Sequence, residues 1–536
     1  MEAENIMEEP PLPSSFVQRS DSWLAADIQG RTETLGGSLS FVKYKKSYSS
    51  QKQLMLRNSL LAGVGFLELA NAGDFAANVF NEIPPPIYAV VFMAIGGTGA
   101  LGICYYAFND ARLSLVNLRG LRHERRFLQS QRAVCRDKQM LQSIDTFLDV
   151  NYRELGTEMV DRIGMDSLMG FGALMVGIGT YMAIAGANRH VYLASNLMSG
   201  YIGNVPCAMY GLVNMMWSLF VWRRANRHRA AIVQHLQDND DTVLKMLKKR
   251  MSSLKVHAIL NGITGVVGGA ASLVTATRWE GYPVLIPCII SSILLNYLWR
   301  HRIGYDRPFV GWVPTIDGAS LADELRSACM MQQVLNEKSK STSPLSLLVP
   351  DPQSIAGVLD FLIKNQLYED FCIHLLEDQQ VATNILGNLA DTVTIDLQSL
   401  LKVDNTQARQ LIKIAEDLIA KKGQASLKYR ERYLLETLGC YMCVCDREEV
   451  EEGSERSKSV EHTSQGSEKR NSFKNISEES EKSNAVGTIS ERPEKSNPVD
   501  SVNKRSEKSG TVSVSRNLTQ EAEKSAEING NSDSGR

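Results

Sequence analysis

Four polar side chains lie within the first apolar stretch of the sequence, 59-SLLAGVGFLELANAGDFAANVF-80. They are Glu68, Asn71, Asp74 and Asn78. At about 100° per helical residue, these positions fall within one arc of about 120°. Lipid cannot hydrogen-bond such groups, so the polar face must meet other helices or a hydrated cavity. The pattern predicts either a site that handles protons or cations, or a hydrogen-bonded packing face.

The Glu68 carboxyl group needs a partner that is not a basic side chain, because the apolar stretches carry no lysine or arginine near their centres. It is either protonated or in contact with a cation, water or an amide group. Later apolar stretches contain four candidate amide partners: Asn204, Asn214, Asn261 and Asn296.

Six apolar stretches have the length of about 20 residues that a helix needs to cross a bilayer. They cover residues 59–80, 87–108, 163–187, 199–222, 256–277 and 282–299. Short connections group them into three helical hairpins. The predicted fold class is all-α: a polytopic helical membrane protein with six transmembrane helices in three hairpins, a cytoplasmic helical bundle and a disordered tail.

The distribution of basic residues predicts the orientation. Basic runs occupy the segments on one side of the six stretches, whereas the opposite connections carry only Arg189 and Arg278. The positive-inside rule therefore places both termini in the cytoplasm, at the plasma membrane or an endomembrane. Without its neighbours the first stretch inserts only marginally, because each central carboxylate costs about 2.5–3.5 kcal/mol.

The chain divides into four predicted regions. Residues 1–57 are cytoplasmic and mostly disordered, 58–302 form the six-span domain, 303–445 form a cytoplasmic helical domain and 446–536 form a tail. In the helical domain, a helix over 404–423 is expected to stop at its final glycine. The tail repeats a Ser/Glu/Lys-rich unit of 13 residues that cannot bury a core, so it is expected to be disordered. Ser472 in this tail is a candidate phosphorylation site.

Two cytoplasmic clusters are candidate contact or modification sites. The run 223-RRANRHR-229 is expected to contact anionic lipid headgroups through Arg223, Arg224, Arg227 and Arg229. The cluster 440-CYMCVC-445 offers Cys440, Cys443 and Cys445. Three thiols without a neighbouring histidine do not make a zinc site, so these cysteines are either palmitoylated or unmodified. No metal or cofactor is expected.

The segments 56-LRNSLLAGVGFLELANAGDFAANVF-80 and 430-RERYLLETLGCYMC-443 carry a resemblance to known proteins. Through them, residues 54–445 resemble uncharacterised multi-pass integral membrane proteins of filamentous fungi. The resemblance implies a membrane location and brings no activity or catalytic residue.

Two functions remain open from the sequence. The first is a transporter or channel for small solutes or ions that uses the polar face of the first stretch. The alternative is a non-catalytic scaffold that recruits cytoplasmic proteins through its helical domain and tail. An enzyme is not expected, since no nucleophile–base pair or metal signature occurs. The net charge of −2 also argues against a nucleic-acid partner.

Overall fold

A computed structural model of the protein describes residues 38–45, 47–51, 55–57, 62–80, 85–236, 241–336, 344–349, 351–387 and 389–450. These residues are mainly helical, and they belong to one compact unit that covers the chain up to Lys458. The 13-residue repeats and Ser472 lie outside the described residues.

Long helices dominate the first half of the described chain. They are α2 (Ile87–Val134), α3 (Lys138–Ile184), α4 (Arg189–His235), α5 (Asp241–Thr275) and α6 (Trp279–Ile303). Within the described residues, these five helices are long and apolar enough to cross a membrane. This finding agrees with the predicted all-α class and indicates membrane association.

The first apolar stretch folds differently from the other five. It forms a 3-10 helix (Ala62–Ala72), followed after Gly73 and Asp74 by a short helix α1 (Phe75–Val79). We call residues 62–79 the broken helix. It packs against α2, α3 and α6. The polar face predicted for an α-helix therefore sits on a backbone that changes its geometry part of the way along.

Local signals explain where several long helices begin. The Asp137 carboxylate accepts a hydrogen bond from the Met140 N–H at the start of α3, and Asn188 does the same for the His190 N–H before α4. Such side chains satisfy N–H groups that lack an intrahelical partner. Pro86 precedes α2, where its fixed φ suits a helix start.

Large apolar side chains point outward from the apolar parts of these helices. In a soluble protein such a surface would be a large exposed apolar patch, whereas in a bilayer it faces acyl chains. Members of this surface include Ile87, Phe92, Ile95, Leu212, Met216, Ile263, Ile290 and Leu294.

The long helices extend well past their apolar parts. With 48 residues, α2 is about 72 Å long, more than twice the hydrocarbon thickness of about 30 Å. Residues 109–162, which connect the second and third apolar stretches, are helical except at the 135–137 turn. The charged parts of α2 and α3 thus form one antiparallel hairpin, and those of α4 and α5 flank the 237–240 connection.

The remaining chain is mostly helical. It contains α7 (Gly318–Asn336), α8 (Pro344–Leu348), α9 (Ile355–Lys364), α10 (Tyr368–Glu377), α11 (Gln379–Leu386), α12 (Leu397–Leu401) and α13 (residues 405–450). A capping box between Asp404 and Gln407 starts α13. The stop predicted at Gly423 does not occur, because the helix continues through a π-helical turn (Ile419–Gly423). Glycine weakens a helix by about 1 kcal/mol but does not forbid it when packing supports the backbone.

Two small antiparallel sheets join distant parts of the chain. In the first, β1 (Ser38–Tyr44) lies between β2 (Ser47–Ser50) and β5 (Thr392–Asp396). In the second, β3 (Met55–Arg57) pairs with β4 (Asp306–Pro308). Residues 1–57 were predicted to be mostly disordered; of these, residues 38–44, 47–50 and 55–57 form strands, and residues 1–37, 46 and 52–54 lie outside the described residues.

Burial explains the ordering of these N-terminal strands. Leu39 and Phe41 of β1 are buried with Val393 and Ile395 of β5, in a core that α9, α10 and α13 complete. A second core joins the charged parts of α2–α5 to α7 and the C-terminal half of α13. The N-terminal strands thus depend on apolar partners more than 300 residues away, which local composition does not reveal.

Candidate functional site

The polar face of the first apolar stretch is aligned by the 3-10 geometry. Side chains three residues apart eclipse one another in a 3-10 helix. Glu68 and Asn71 lie on the 3-10 helix, and Asp74 follows at the same spacing where that helix ends. Asn78 lies on α1. The three-residue spacing therefore stacks the first three side chains more closely than an α-helix would.

This face points into the helix bundle. Asn71 is buried, and its Oδ1 accepts a hydrogen bond from the Cys207 thiol of α4 at 3.2 Å. Asp74 is buried, and its Oδ1 accepts one from the Tyr282 hydroxyl of α6 at 3.0 Å. The same hydroxyl accepts a hydrogen bond from the Asn78 amide at 2.8 Å. The polar side chains therefore bind the broken helix to α4 and α6.

Glu68 differs from its neighbours because one of its oxygens is unsatisfied. Its Oε2 is buried and has no hydrogen-bond partner among the described residues. A Cβ atom placed on Gly268 of α5 would lie 3.6 Å from this oxygen. The carboxyl group also interacts electrostatically with the thiols of Cys207 and Cys288. A buried oxygen of this kind needs a proton, a cation or water.

Glycine permits the break in the helix. A Cβ on Gly96 of α2 would lie 2.2 Å from the carbonyl oxygen of Gly73, closer than any side chain allows. The chain therefore turns at Gly73 in direct backbone contact with α2. Asp74, next to this break, also has one buried oxygen, Oδ2, without a partner in the described part of the chain.

The predicted amide partners are used elsewhere. Asn214 and Asn261 bond to each other across α4 and α5, with the Asn261 Nδ2 donating to the Asn214 Oδ1 at 2.9 Å. Asn204 donates to the backbone carbonyl of Ser272 at 2.8 Å. Asn296 is buried in α6. The amides of Asn214, Asn261 and Asn204 thus join α4 to α5, and none of these hydrogen bonds goes to Glu68.

A buried ionic cluster at the charged ends of the helices was not foreseen from the sequence. Glu436 of α13, 1% exposed, forms ion pairs with Arg153 of α3 at 2.9 Å and with Arg250 of α5 at 3.0 Å. Arg224 of α4 approaches it at 3.4 Å. Burial alone would raise the pKa of Glu436, but attraction to the three guanidinium groups outweighs it and holds the pKa well below its usual value.

Arg307 of β4 forms the second centre of this cluster. It contacts Glu124 of α2 at 2.7 Å and also bonds to Glu154 of α3. The Tyr305 hydroxyl donates to Glu154 at 2.9 Å and accepts from Arg153 at 2.7 Å. Opposite charges are thus matched around Tyr305. These residues lie far apart in the sequence, and no local pattern predicts that they contact one another.

The position of Arg224 corrects one expectation about lipid contacts. Arg223, Arg227 and Arg229 are exposed, as headgroup contact requires. Arg224 is 4% exposed and pairs with Asp149 at 3.0 Å. Successive residues of a helix point in different directions, so Arg224 faces α3 and α13 although Arg223 is exposed. Its side chain therefore cannot contact lipid.

Cys440 is likewise not available for acylation. It is fully buried, and the Arg224 guanidinium donates to its sulfur at 2.9 Å. Burial raises the pKa of this thiol well above its usual value, which leaves it unreactive. Cys443 and Cys445 are half-buried, so the prediction of acylation stands only for them.

Three potential metal ligands lie close together beside Arg224. The side chains of Asp149, His228 and Cys440 bring one potential ligand atom each within 4.8 Å of one another. The guanidinium of Arg224 already contacts both Asp149 and Cys440. A cation bound there would meet this positive charge directly, so the group fits an arginine rather than a metal ion.

Comparison of the chain with protein-family models, curated proteins and solved structures gives no match. The resemblance to fungal membrane proteins stays a prediction. Function must therefore be argued from the contacts within the chain itself.

Proposed function

We propose that the protein is a membrane protein of six crossings that moves a proton or a small cation, with the Glu68 carboxylate as its binding group. One observation carries this proposal: a carboxylate oxygen is buried between helices and has no partner among the described residues. The broken backbone around it provides the second support.

The parity of the crossings supports the number six. Strand β3 comes just before the broken helix and β4 just after α6, and Leu56 is paired with Arg307. Paired strands lie on the same side of a membrane, so the chain between them crosses an even number of times. The described residues contribute five long apolar helices to this interval, and the broken helix supplies the sixth crossing.

The length of the broken helix is compatible with a crossing. Its 3-10 part has 11 residues, which span about 22 Å at 2.0 Å per residue. The five residues of α1 add about 7.5 Å. The total of about 30 Å equals the hydrocarbon thickness.

The exposed arginines support the orientation. Arg119, Arg122 and Arg126 lie on the exposed face of α2 beyond its apolar part. Exposed Arg227 and Arg229 occupy the equivalent part of α4. By the positive-inside rule, these ends and the sheets beside them are cytoplasmic. Protease digestion of sealed vesicles should cleave tags on the N- and C-termini from the same side.

Broken helices are a common way to build ion sites in transporters, because an interrupted backbone exposes polar groups where a regular helix cannot. Here Asp74 lies at the interruption, while Glu68 lies two 3-10 turns earlier and faces α5. The two carboxyl groups share a column along the crossing. A proton or small cation is the ligand that an unsatisfied carboxylate oxygen accepts.

Flux measurements test this proposal. The full chain in liposomes is assayed for proton, sodium and potassium movement under an imposed gradient, alongside Glu68→Gln and Glu280→Gln. Glu280 is an exposed glutamate in the 3-10 turn at the start of α6. We expect flux at least tenfold lower in Glu68→Gln and unchanged in Glu280→Gln. Wild-type flux in Glu68→Gln, or no flux of any of the three ions through the wild type, contradicts the proposal.

A scaffold is the second candidate, and the cleft beside α13 favours it. This cavity of about 80 Å³ is lined by aromatic and charged residues that include Phe309, Trp312 and Arg430. Aromatic residues and arginine are the types that dominate protein-binding hot spots. If the protein is a scaffold, Trp312→Ala abolishes its cellular function and Glu68→Gln does not. The opposite result favours ion movement.

A further inference from the structure

A second group of buried carboxyl groups lies where α2 and α3 leave their apolar parts. Asp110 comes from α2, and Glu158 and Asp166 come from α3. All three are buried around the guanidinium of Arg162, which is 2% exposed. None of them belongs to the polar face of the broken helix. Their negative charges exceed the one positive charge in this group, so the arrangement requires a compensating ligand or proton.

Arg162 is fully engaged by two of these carboxylates. Its Nη2 donates to the Asp110 Oδ1 at 2.9 Å, and its Nε donates to the Asp110 Oδ2 at 3.3 Å. Its Nη1 donates to Glu158 at 3.1 Å and also to the backbone carbonyl of Arg57 at 3.2 Å. Asn117 gives Glu158 a further hydrogen bond at 3.2 Å. Both carboxylates are therefore hydrogen-bonded, and the single guanidinium balances the charge of one of them.

Asp166 receives no hydrogen bond from Arg162 or Asn117. It is 0% exposed, and neither of its carboxyl oxygens meets a donor in the described part of the chain. Its carboxyl group interacts with the Asp110 carboxyl at hydrogen-bond range, in the part of the interface where a Cβ on Gly170 of α3 would lie 3.0 Å from Ala107 of α2. Two carboxylates in contact within a low-dielectric interior cannot both remain charged without a large cost.

The helix geometry brings the pair together. Residues Glu158–Gly164 form a π-helical turn just before Asp166. Such a turn changes the direction in which the following side chains point, and π-turns occur often at functional sites. The charged groups that face Asp166 are Asp110 from α2, with Arg162 and Glu158 from its own helix. From α4, the Tyr210 ring interacts electrostatically with Asp166.

We propose that Asp110 and Asp166 form a proton-binding pair. The ligand is a single proton, taken from water, which forms an O–H bond on one carboxyl group and a hydrogen bond to the other. The proton joins α2 to α3, and its loss leaves two adjacent negative charges that push the helices apart. This site is separate from Glu68 and does not depend on ion movement through the bundle.

The surroundings favour a proton over a metal ion. Calcium takes six to eight oxygen ligands and magnesium keeps several waters. Here both oxygens of Asp110 are already bonded to Arg162, and the guanidinium would repel a metal cation. The pair is also sealed from solvent. A proton needs only the two carboxyl groups themselves.

Infrared spectroscopy of the full chain in detergent, with carbon-13 in the aspartate carboxyl groups, tests the pair directly. The label separates aspartate from Glu68. We expect the carbonyl-stretch band of protonated aspartic acid, to which buried Asp74 contributes when it is protonated, to lose intensity in Asp166→Asn. The matched control is Asp145→Asn, also on α3, which replaces a partly exposed aspartate paired with Arg132 and should leave the band intact. An unchanged band intensity in Asp166→Asn overturns the proposal.

Thermal unfolding gives a second readout. The folded wild type holds a proton that the unfolded chain lacks, so its stability must fall as the pH rises. We expect Asp166→Asn to show a smaller fall, by about 2 °C or more in midpoint temperature, because the amide imitates the protonated acid. Equal pH dependence of the two proteins contradicts the proposal. So does stabilisation by calcium or sodium that Asp166→Asn abolishes, because the site would then bind a metal.

If Asp166→Asn does not fold, loss of the wild-type labelled band at high pH supports the pair, and its absence at every pH overturns it.

Discussion

The pair α4–α5 is held together in two different ways along its length. In the apolar half, backbone meets backbone: a Cβ on Gly211 would lie 2.2 Å from the carbonyl oxygen of Gly265. In the charged half, Arg224 and Arg250 reach the Glu436 carboxylate of α13. Lipid provides no hydrophobic driving force for helix association, so the close packing of small residues holds α4 and α5 together there. Outside the apolar half, buried ion pairs and leucines hold them together.

The charged half should be the more sensitive to a single substitution. Glu436→Gln leaves three buried guanidinium groups short of a negative charge, which costs about 3–5 kcal/mol of unfolding free energy. Denaturant titration in detergent measures this loss. Glu449→Gln serves as the control, since the Glu449 side chain is 62% exposed. Equal stability of the two variants would mean that the cluster is not important for folding.

The pH dependence of this difference has a definite sign. The pKa of Glu436 is lowered in the folded protein. Its contribution is therefore complete above the pKa of the unfolded carboxyl group and is lost as the pH falls through the folded pKa. We expect the stability gap between wild type and Glu436→Gln to narrow on acidification. A gap that widens would contradict this assignment of charge.

The apolar half should respond to a single methyl group. Gly211→Ala forces α4 and α5 apart, at an expected cost of about 1–3 kcal/mol, which a lower midpoint of thermal unfolding would show. Gly102→Ala is the matched control, because no atom lies within 4 Å of a Cβ at that position. If both variants unfold at the wild-type temperature, the close approach of α4 and α5 is not needed.

The smallest effect is expected at the surface of the charged half. Arg227 is exposed, so Arg227→Ala should change stability by less than about 0.5 kcal/mol. Its loss should weaken binding to anionic lipid by about 1 kcal/mol, measured with detergent micelles doped with phosphatidylserine. Arg224→Ala should show the reverse pattern: lower stability and unchanged lipid binding.

Sequence patterns predicted the helices of this molecule better than the contacts between them. Five apolar stretches are parts of helices long enough to cross a membrane, because apolar length is a local property. The 3-10 geometry of the first stretch depends on the contact between Gly73 and Gly96, which no local rule contains. The segment 223–229 alone predicts that Arg224 contacts lipid, whereas its burial comes from distant partners such as Glu436, 212 residues later.

The same limit applies to the candidate sites. The polar face of Glu68 and Asp74 follows from spacing alone, and the structure places it inside the bundle. The pair of Asp110 and Asp166 could not be predicted, because its members come from two helices whose register is set by the 135–137 turn and a π-helical turn. The sequence holds one signal for the pair: Asp110 follows the apolar stretch 87–108, and Asp166 lies near the start of the stretch 163–187.

The pairing of β1 with β5 also sets an order for biosynthesis. Ser40 precedes its neighbour Thr394 by 354 residues, so at 5–20 residues per second the ribosome needs about 20–70 s to produce the second strand. Every apolar helix emerges within that interval. The β1–β2 hairpin therefore keeps the other edge of β1 unpaired until β5 has been made, and the completed sheet marks a chain whose apolar helices have all been synthesised.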